Sequence, residues 1–295
     1  MMRRFAMAAA LALATLAGSS CSWLTARDAD PALWVVRDHD TTIYLFGTVH
    51  VLRPGLTWFD EAVKAAFDRS DTVVLELIMP PAKEAQAIVD DLGLAKDRTS
   101  LLTGLSDAEQ RALMVELPRL GLAPDALDRQ EPWLAAATLT NLPLRRLGYD
   151  DKDGAEAVLA ARATLDGKKL HGLETLREQL GYFDTLSPEA QHALLAAAID
   201  AIPKTDTEID RTVAAWSKGD VDGLAAIANH DLAGSPELRR VLLIERNRRW
   251  TAWIARRMEQ PGTVFVAVGA GHLAGPDSVQ AMLAARGLKA ERVTY

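Results

Sequence analysis

The chain has 295 residues, 49% hydrophobic and 25% charged, with 33 Lys and Arg against 40 Asp and Glu for a net charge of −7. That composition excludes a disordered, collagenous or low-complexity chain, and the acidic balance argues against a nucleic-acid binder, which carries a basic face. A single cysteine excludes an internal disulfide framework.

The chain opens on an address. Met1 to Arg4 carries two positive charges, Phe5 to Gly18 runs uncharged and rich in Ala and Leu, and Ser19, Ser20 and Cys21 come next. A basic start, a short apolar run and small residues at the exit are the three parts of a secretory signal. The run is shorter than the roughly 18 to 20 residues that span a bilayer. Residues 1–20 are therefore read as a cleaved signal peptide, 21–31 as a linker and 32–295 as a single domain. Cleavage has two forms. Cys21 becomes the lipidated first residue of a membrane-anchored lipoprotein, or a cut near Ala17-Gly18-Ser19 releases a periplasmic protein. Gly18 departs from the Leu that a lipobox places three residues before its cysteine. Either way the chain is exported, and without disulfides its core alone must hold the fold.

Residues 32–36 and 41–46 are β-type runs with a polar turn between them, which predicts a hairpin. Apolar residues at Phe59, Ala62, Val63, Ala66 and Phe67 have a helical period. Thr72 to Ile78 reads as a fully buried strand. Ser106 and Glu109 have capping-box spacing. Helices are predicted over roughly 132–146 and 154–165. Lys168 to Glu174 is a short strand leading into a helix. Ser187-Pro188-Glu189 opens an Ala- and Leu-rich helix to Ile202. A long helix is predicted over 236–259, a buried strand over 263–268, a helix over 276–286 and a last strand over 290–294. Strands separated by helices predict an α/β fold with a mostly parallel central sheet flanked by helices. The helical stretch from about 80 to 165 predicts a cap or insertion. Trp133, Trp216, Trp250 and Trp253 are assigned to core packing, with the lining of a groove as the alternative.

Two segments repeat one pattern. The strand at 42–46 ends in Gly47-Thr48-Val49-His50, and the strand at 264–268 ends in Gly269-Ala270-Gly271-His272. In an open α/β sheet, ligands bind beyond the carboxyl ends of the strands. Each histidine would sit on a loop at that edge. Glu76 interrupts an otherwise apolar strand, and Glu174 ends another. Two histidines and two glutamates at one edge suit a divalent metal with a carboxylate left as general base. Read singly, each is ordinary: a hydrogen-bonded loop histidine, a rim carboxylate, an acid in a helix's first turn. Gly269, Gly271 and Gly275 loosely match a dinucleotide fingerprint, but the spacing carries an extra residue and Pro276 stands at the expected helix start. His-Glu-x-x-His, Gly-x-Ser-x-Gly and Walker signatures are absent from the sequence.

These segments resemble the TraB/PrgY/GumN family, its GumN-like bacterial branch in particular, to which the Tiki metalloproteases are related. The resemblance is carried by residues 44–51, 73–77, Gly172-Leu173-Glu174-Thr175 with Gln179, Glu245-Arg246-Asn247 with Trp250, and 268–275. It implies a fold of the EreA/ChaN type and a divalent ion (Mn, Co or Zn) held by His50, His272 and Glu76. It makes Glu76 and Glu174 the catalytic carboxylates, with Arg246 and Asn247 as further catalytic residues. Arg246 would grip a substrate carboxylate and Asn247 would orient a carbonyl, or Arg246 simply pairs with a neighbouring acid and Asn247 caps a loop. Asp150 falls where members keep a Gly-x-Asp, and is expected in support of the site. His171 is expected to be structural, and His39, His192 and His230 to lie on the surface. The function expected is an exported, metal-dependent hydrolase cleaving a peptide or another small polymeric substrate. The alternative is a catalytically silent envelope protein that binds a peptide or polysaccharide.

Overall fold

A computed structural model describes residues 27–96, 100–232 and 235–295, without the side chains of 228–232. The signal segment, Cys21 and most of the linker lie outside the described residues, as does the His230 side chain. The elements run β1 (Arg27–Asp28), β2 (Leu33–Arg37), β3 (Thr41–Thr48), β4 (Leu56–Thr57), α1 (Glu61–Arg69), β5 (Thr72–Leu77), α2 (Ala82–Gly93), α3 (Asp107–Arg119) and α4 (Pro132–Arg146). They continue as α5 (Ala155–Leu165), β6 (Lys169–Glu174), α6 (Leu176–Asp184), α7 (Pro188–Ala201), α8 (Thr205–Ser217), α9 (Val221–Leu232), α10 (Pro236–Arg239), α11 (Glu245–Arg257), β7 (Gly262–Gly269), α12 (Val279–Ala284) and β8 (Glu291–Arg292).

Six strands form one sheet in the order β6-β5-β7-β3-β2-β8. The pairs β6–β5, β5–β7 and β7–β3 are parallel, and β2 is antiparallel to both of its neighbours. The sheet is thus mostly parallel, as the alternation of strands and helices predicted. The 32–46 hairpin is the β2–β3 pair.

Both faces of the sheet are covered, which is why the central strands read as unbroken apolar runs. Along β3 and β7 the side chains alternate faces. Phe46, Phe265 and Ala267 pack with α1, α5 and α8, including Phe67, Leu159 and Trp216. Ile43, Leu45, Val264, Val266 and Val268 pack with Trp250 and Ile254 of α11 and Leu283 of α12. On β5, Val74 belongs to the α11 side. Glu76, two residues on, faces the same way, and this aims it at α11.

A separate apolar cluster joins α3, α4 and α7 through Leu113, Leu117, Leu139, Leu195 and Ile199. This is the helical cap, with limits that differ from the predicted 80–165. Helix α5 packs against the sheet instead, and α7, from beyond β6, completes the cap. Three other boundaries differ. The predicted helix over 236–259 is interrupted by a π-helical turn, Arg240–Ile244, between α10 and α11. The helix predicted from Pro276 starts at Val279, because the Ser278 hydroxyl accepts from the Ala281 N–H and caps it there. The last strand shrinks to Glu291–Arg292.

Candidate active site

The parallel pairing of β3 with β7 brings the two Gly-x-x-His segments together. Thr48 is in register with Gly269. A Cβ on Gly47 would lie 3.1 Å from the Ala270 Cα, so the absent side chain lets the second segment pack directly on the first. A Cβ on Gly269 would lie 3.5 Å from Glu76 Oε2, 3.5 Å from His272 Cδ2 and 3.6 Å from His50 Nε2. Both histidines and Glu76 therefore surround one point at the end of β7.

Arg246 is the hub. Its Nε donates to both oxygens of Glu174 at 3.0 and 3.2 Å, and its Nη2 donates to Glu174 Oε2 at 2.8 Å and to Glu76 Oε1. Its Nη1 donates to the Leu242 carbonyl at 3.4 Å and faces His272 Nε2 at 3.3 Å. The guanidinium lies 4.8 Å from the Trp250 ring centroid. Arg246, Glu76 and Glu174 are all buried. Gln179 adds an amide donor to Glu76 at 2.6 Å, and the Gly269 N–H donates to Glu76 Oε2 at 3.1 Å. Burial pushes the Glu76 carboxyl upward. The Arg246 charge and the two histidines outweigh it and bring Glu76 down to about 2. Burial likewise opposes the Arg246 charge, but the two carboxylates hold it and raise its pKa.

Each histidine has one ring nitrogen tied down. His272 Nδ1 lies 2.6 Å from Asn247 Oδ1. The Asn247 amide donates to the carbonyls of Asp277 at 2.7 Å and His272 at 3.4 Å, so its oxygen is the acceptor and His272 Nδ1 carries the proton. Burial first, with Arg246 and His50 against the pull of Glu76, lowers His272 to about 3, so Nε2 is unprotonated and its lone pair faces Arg246 Nη1. His50 Nδ1 lies 2.7 Å from Glu156 Oε1, which also accepts from the Thr48 hydroxyl. Glu156 raises the His50 pKa, and burial works the other way. The His50 side chain is 68% exposed, so solvent screens this pair and reaches its Nε2.

The chemistry of this donor set fits a divalent cation: two imidazole Nε2 atoms whose Nδ1 partners are fixed by an oxygen acceptor, plus a carboxylate oxygen. The set is not closed around one point at coordination distance. Among the described residues, the group whose ligand atoms fall within 4.8 Å of one another is the exposed Asp38-His39-Asp40 turn. Arg246 stands between Glu76, Glu174 and His272, and its fork is spent on the two glutamates. Its contacts are those of the plainer reading, in which Arg246 pairs with neighbouring acids. Asn247 orients His272 and ties it to the Asp277 carbonyl.

The site gathers His50, His272, Glu76, Glu174, Arg246 and Asn247, and it leaves Asp150 outside. The Asp150 carboxylate caps Lys152, and its backbone pairs with Leu52 beyond the His50 loop. His171 stacks on Trp253 with ring centroids 5.7 Å apart. His39 sits on the exposed turn beside Asp40. His192 is half-buried rather than on the surface, and its ring closes over Gly104. Sequence reasoning missed Glu156. Its signal was weak: an acid in the first turn of α5, two residues after Gly154. A Cβ on Gly154 would lie 2.0 Å from the His50 carbonyl oxygen, which is how α5 comes close enough to support His50.

Residues 32–292 match the TraB/PrgY/gumN family. The chain belongs to that family. The match spans both Gly-x-x-His segments and every residue of the Arg246 network. A curated relative from Treponema pallidum (strain Nichols), described as an uncharacterized protein, is 26% identical over 284 residues, covering 88% of this chain and 84% of its own length. No solved structure matches this TraB/PrgY/gumN member.

Proposed function

We propose that this TraB/PrgY/gumN member is an exported hydrolase of peptide bonds, with His50, His272 and Glu76 holding a divalent cation. The observation that carries this reading is the matched preparation of the two rings. Glu156 fixes His50 and Asn247 fixes His272, each at Nδ1, with both rings beside the same glycine. A bound divalent cation would act there as a Lewis acid toward the scissile carbonyl and the attacking water. The chain's own residues do the rest. Arg246, with the Gln179 amide and the Gly269 N–H, holds Glu76 ionised, and Asn247 keeps His272 in the tautomer with an unprotonated Nε2. His50 Nε2 lies beside Gly269, at the point shared with His272 and Glu76. The test is metal titration by calorimetry, with a peptide-library cleavage assay run with and without chelator. Cleavage that is lost on chelation, restored by Mn, Co or Zn, and absent in His50→Ala and His272→Ala supports the reading. A protein that takes up none of these ions at micromolar metal overturns it.

A second reading is favoured by the Arg246 contacts. Arg246 already pairs with both Glu76 and Glu174 and so occupies the place of a cation between them. His50, which Glu156 keeps protonated to about pH 9, would then give its proton to the leaving group as a general acid. Chelator-resistant cleavage that disappears in Glu156→Gln selects this reading. Export is tested by fractionation of cells making the wild type and Cys21→Ala.

A further inference from the structure

Beside the Arg246 network, a groove of about 320 Å³ runs between α6 and α11, with Glu174 and Trp250 in its wall. Its charged groups are unevenly engaged. Of its carboxylates, Glu174 is engaged by Arg246, and Glu178 is engaged by the N–H and hydroxyl of Thr175 at 2.7 and 2.8 Å. Of its cations, Arg249 lies over the Tyr182 ring at 4.8 Å and near enough to Glu178 to lower its pKa, and Arg256 has no carboxylate partner among the described residues. Arg246, Arg249, Trp253 and Arg256 recur at spacings of three and four, which places them along one face of α11. From Arg246 to Arg256 this face extends about 15 Å, the reach of about four extended residues. Trp253, half-buried and assigned to the core by sequence, is part of the groove wall.

A groove with an unpaired Arg256, a second arginine on its aromatic wall and both carboxylates already hydrogen-bonded suits an anion attached to an apolar body. We propose that it is a subsite for the C-terminal carboxylate of a short peptide. Arg249 and Arg256 bind the carboxylate, and Trp253 and Tyr182 receive the terminal side chain. This rests on the hydrolase reading for its setting and names the substrate end that the site would accept.

The experiment uses probes that contain no peptide linkage between residues, so binding does not depend on turnover. Calorimetry compares 3-phenylpropionate with its neutral isostere 3-phenylpropionamide on the wild type, Arg249→Gln and Arg256→Gln. The carboxylate is expected to bind about tenfold tighter than the amide, and each substitution to remove most of that preference. Both arginines are exposed, and unchanged circular dichroism confirms that the variants fold. Equal affinity for the two probes, no saturable binding of either, or a preference untouched by both substitutions overturns the subsite. A chain that cleaves peptides yet shows no preference loses the subsite and keeps the hydrolase. One that shows the preference yet cleaves nothing does the reverse.

Discussion

Replacing Arg246 with Met tests the buried network directly. The substitution keeps much of the side-chain length and removes the guanidinium that Glu76 and Glu174 share. Both carboxylates stay buried, with the Gln179 amide and the Gly269 N–H as remaining donors. Removing one partner of a buried ion pair costs roughly 3–5 kcal/mol. The Glu76 pKa gives an independent magnitude. Its fall from the ordinary 4.5 to about 2 corresponds to about 3 kcal/mol at roughly 1.36 kcal/mol per pH unit. The sign comes from linkage. A depressed carboxylate contributes its stability above pH 4.5 and loses it as pH falls through about 2. In Arg246→Met, burial acts on Glu76 without the opposing cation, so its pKa moves above 4.5 and the folded state takes up a proton on mild acidification. The deficit of the variant should therefore be largest near neutrality and shrink toward about pH 4.5. Urea unfolding monitored by circular dichroism, at about pH 7 and about pH 4.5, measures both quantities. A deficit below about 1 kcal/mol at neutral pH, or one that grows on acidification, refutes the account of Arg246 as the group that keeps these acids charged.

Gly269→Ala should fold normally, since the residue has φ −48 and the new methyl meets its neighbours at 3.5 Å or more, yet lose at least about tenfold in turnover because it fills the point between His50, His272 and Glu76. Wild-type turnover with unchanged unfolding would show that nothing reacts there. Glu156→Gln should return the His50 pKa toward its ordinary 6.5, and a proton-detected histidine titration reads this; an unmoved midpoint rejects Glu156 as the cause. Gly154→Ala should destabilise the chain by roughly 1–3 kcal/mol, because its Cβ would meet the His50 carbonyl at 2.0 Å, and a melting temperature equal to wild type counts against that close approach.

What was legible in the sequence depended on how local the cause was. The runs that became β3, β5 and β7 were plain because a parallel strand buried on both faces is apolar throughout. Glu76 stood out as the one charged residue in such a run, and burial beside Arg246 explains it. The Ser106–Glu109 capping box was read from four residues and formed. Tertiary causes were harder to see. Glu156 looks like any helix-opening acid until α5 is laid against the His50 loop. The π-helical turn before Glu245 leaves no mark in the apolar period. An extra residue in a helix rotates the next turn by about 100°, and this one directly precedes Arg246 and Asn247. For Arg246 the sequence left a substrate role and an ion pair both open, because its partners come from two strands that lie far from it in sequence.

The site depends on the middle strand of three. β7 lies between β5, which carries Glu76, and β3, which leads to His50. Neighbouring strands are about 4.8 Å apart, so residues at the ends of β5 and β3 are separated by about twice that. Side chains cross such a gap only where the strand between them leaves room. Gly269 is the last residue of β7 and provides that room, and its own N–H faces Glu76 at 3.1 Å. A one-residue slip of β7 against β3 would turn Val268 and its neighbours to the opposite face and place a side chain where the glycine now stands. The apolar pattern of β7 fixes that register through its packing against Trp250 and Ile254. The same contacts that stabilise the core thus determine that two histidines more than 200 residues apart meet one carboxylate.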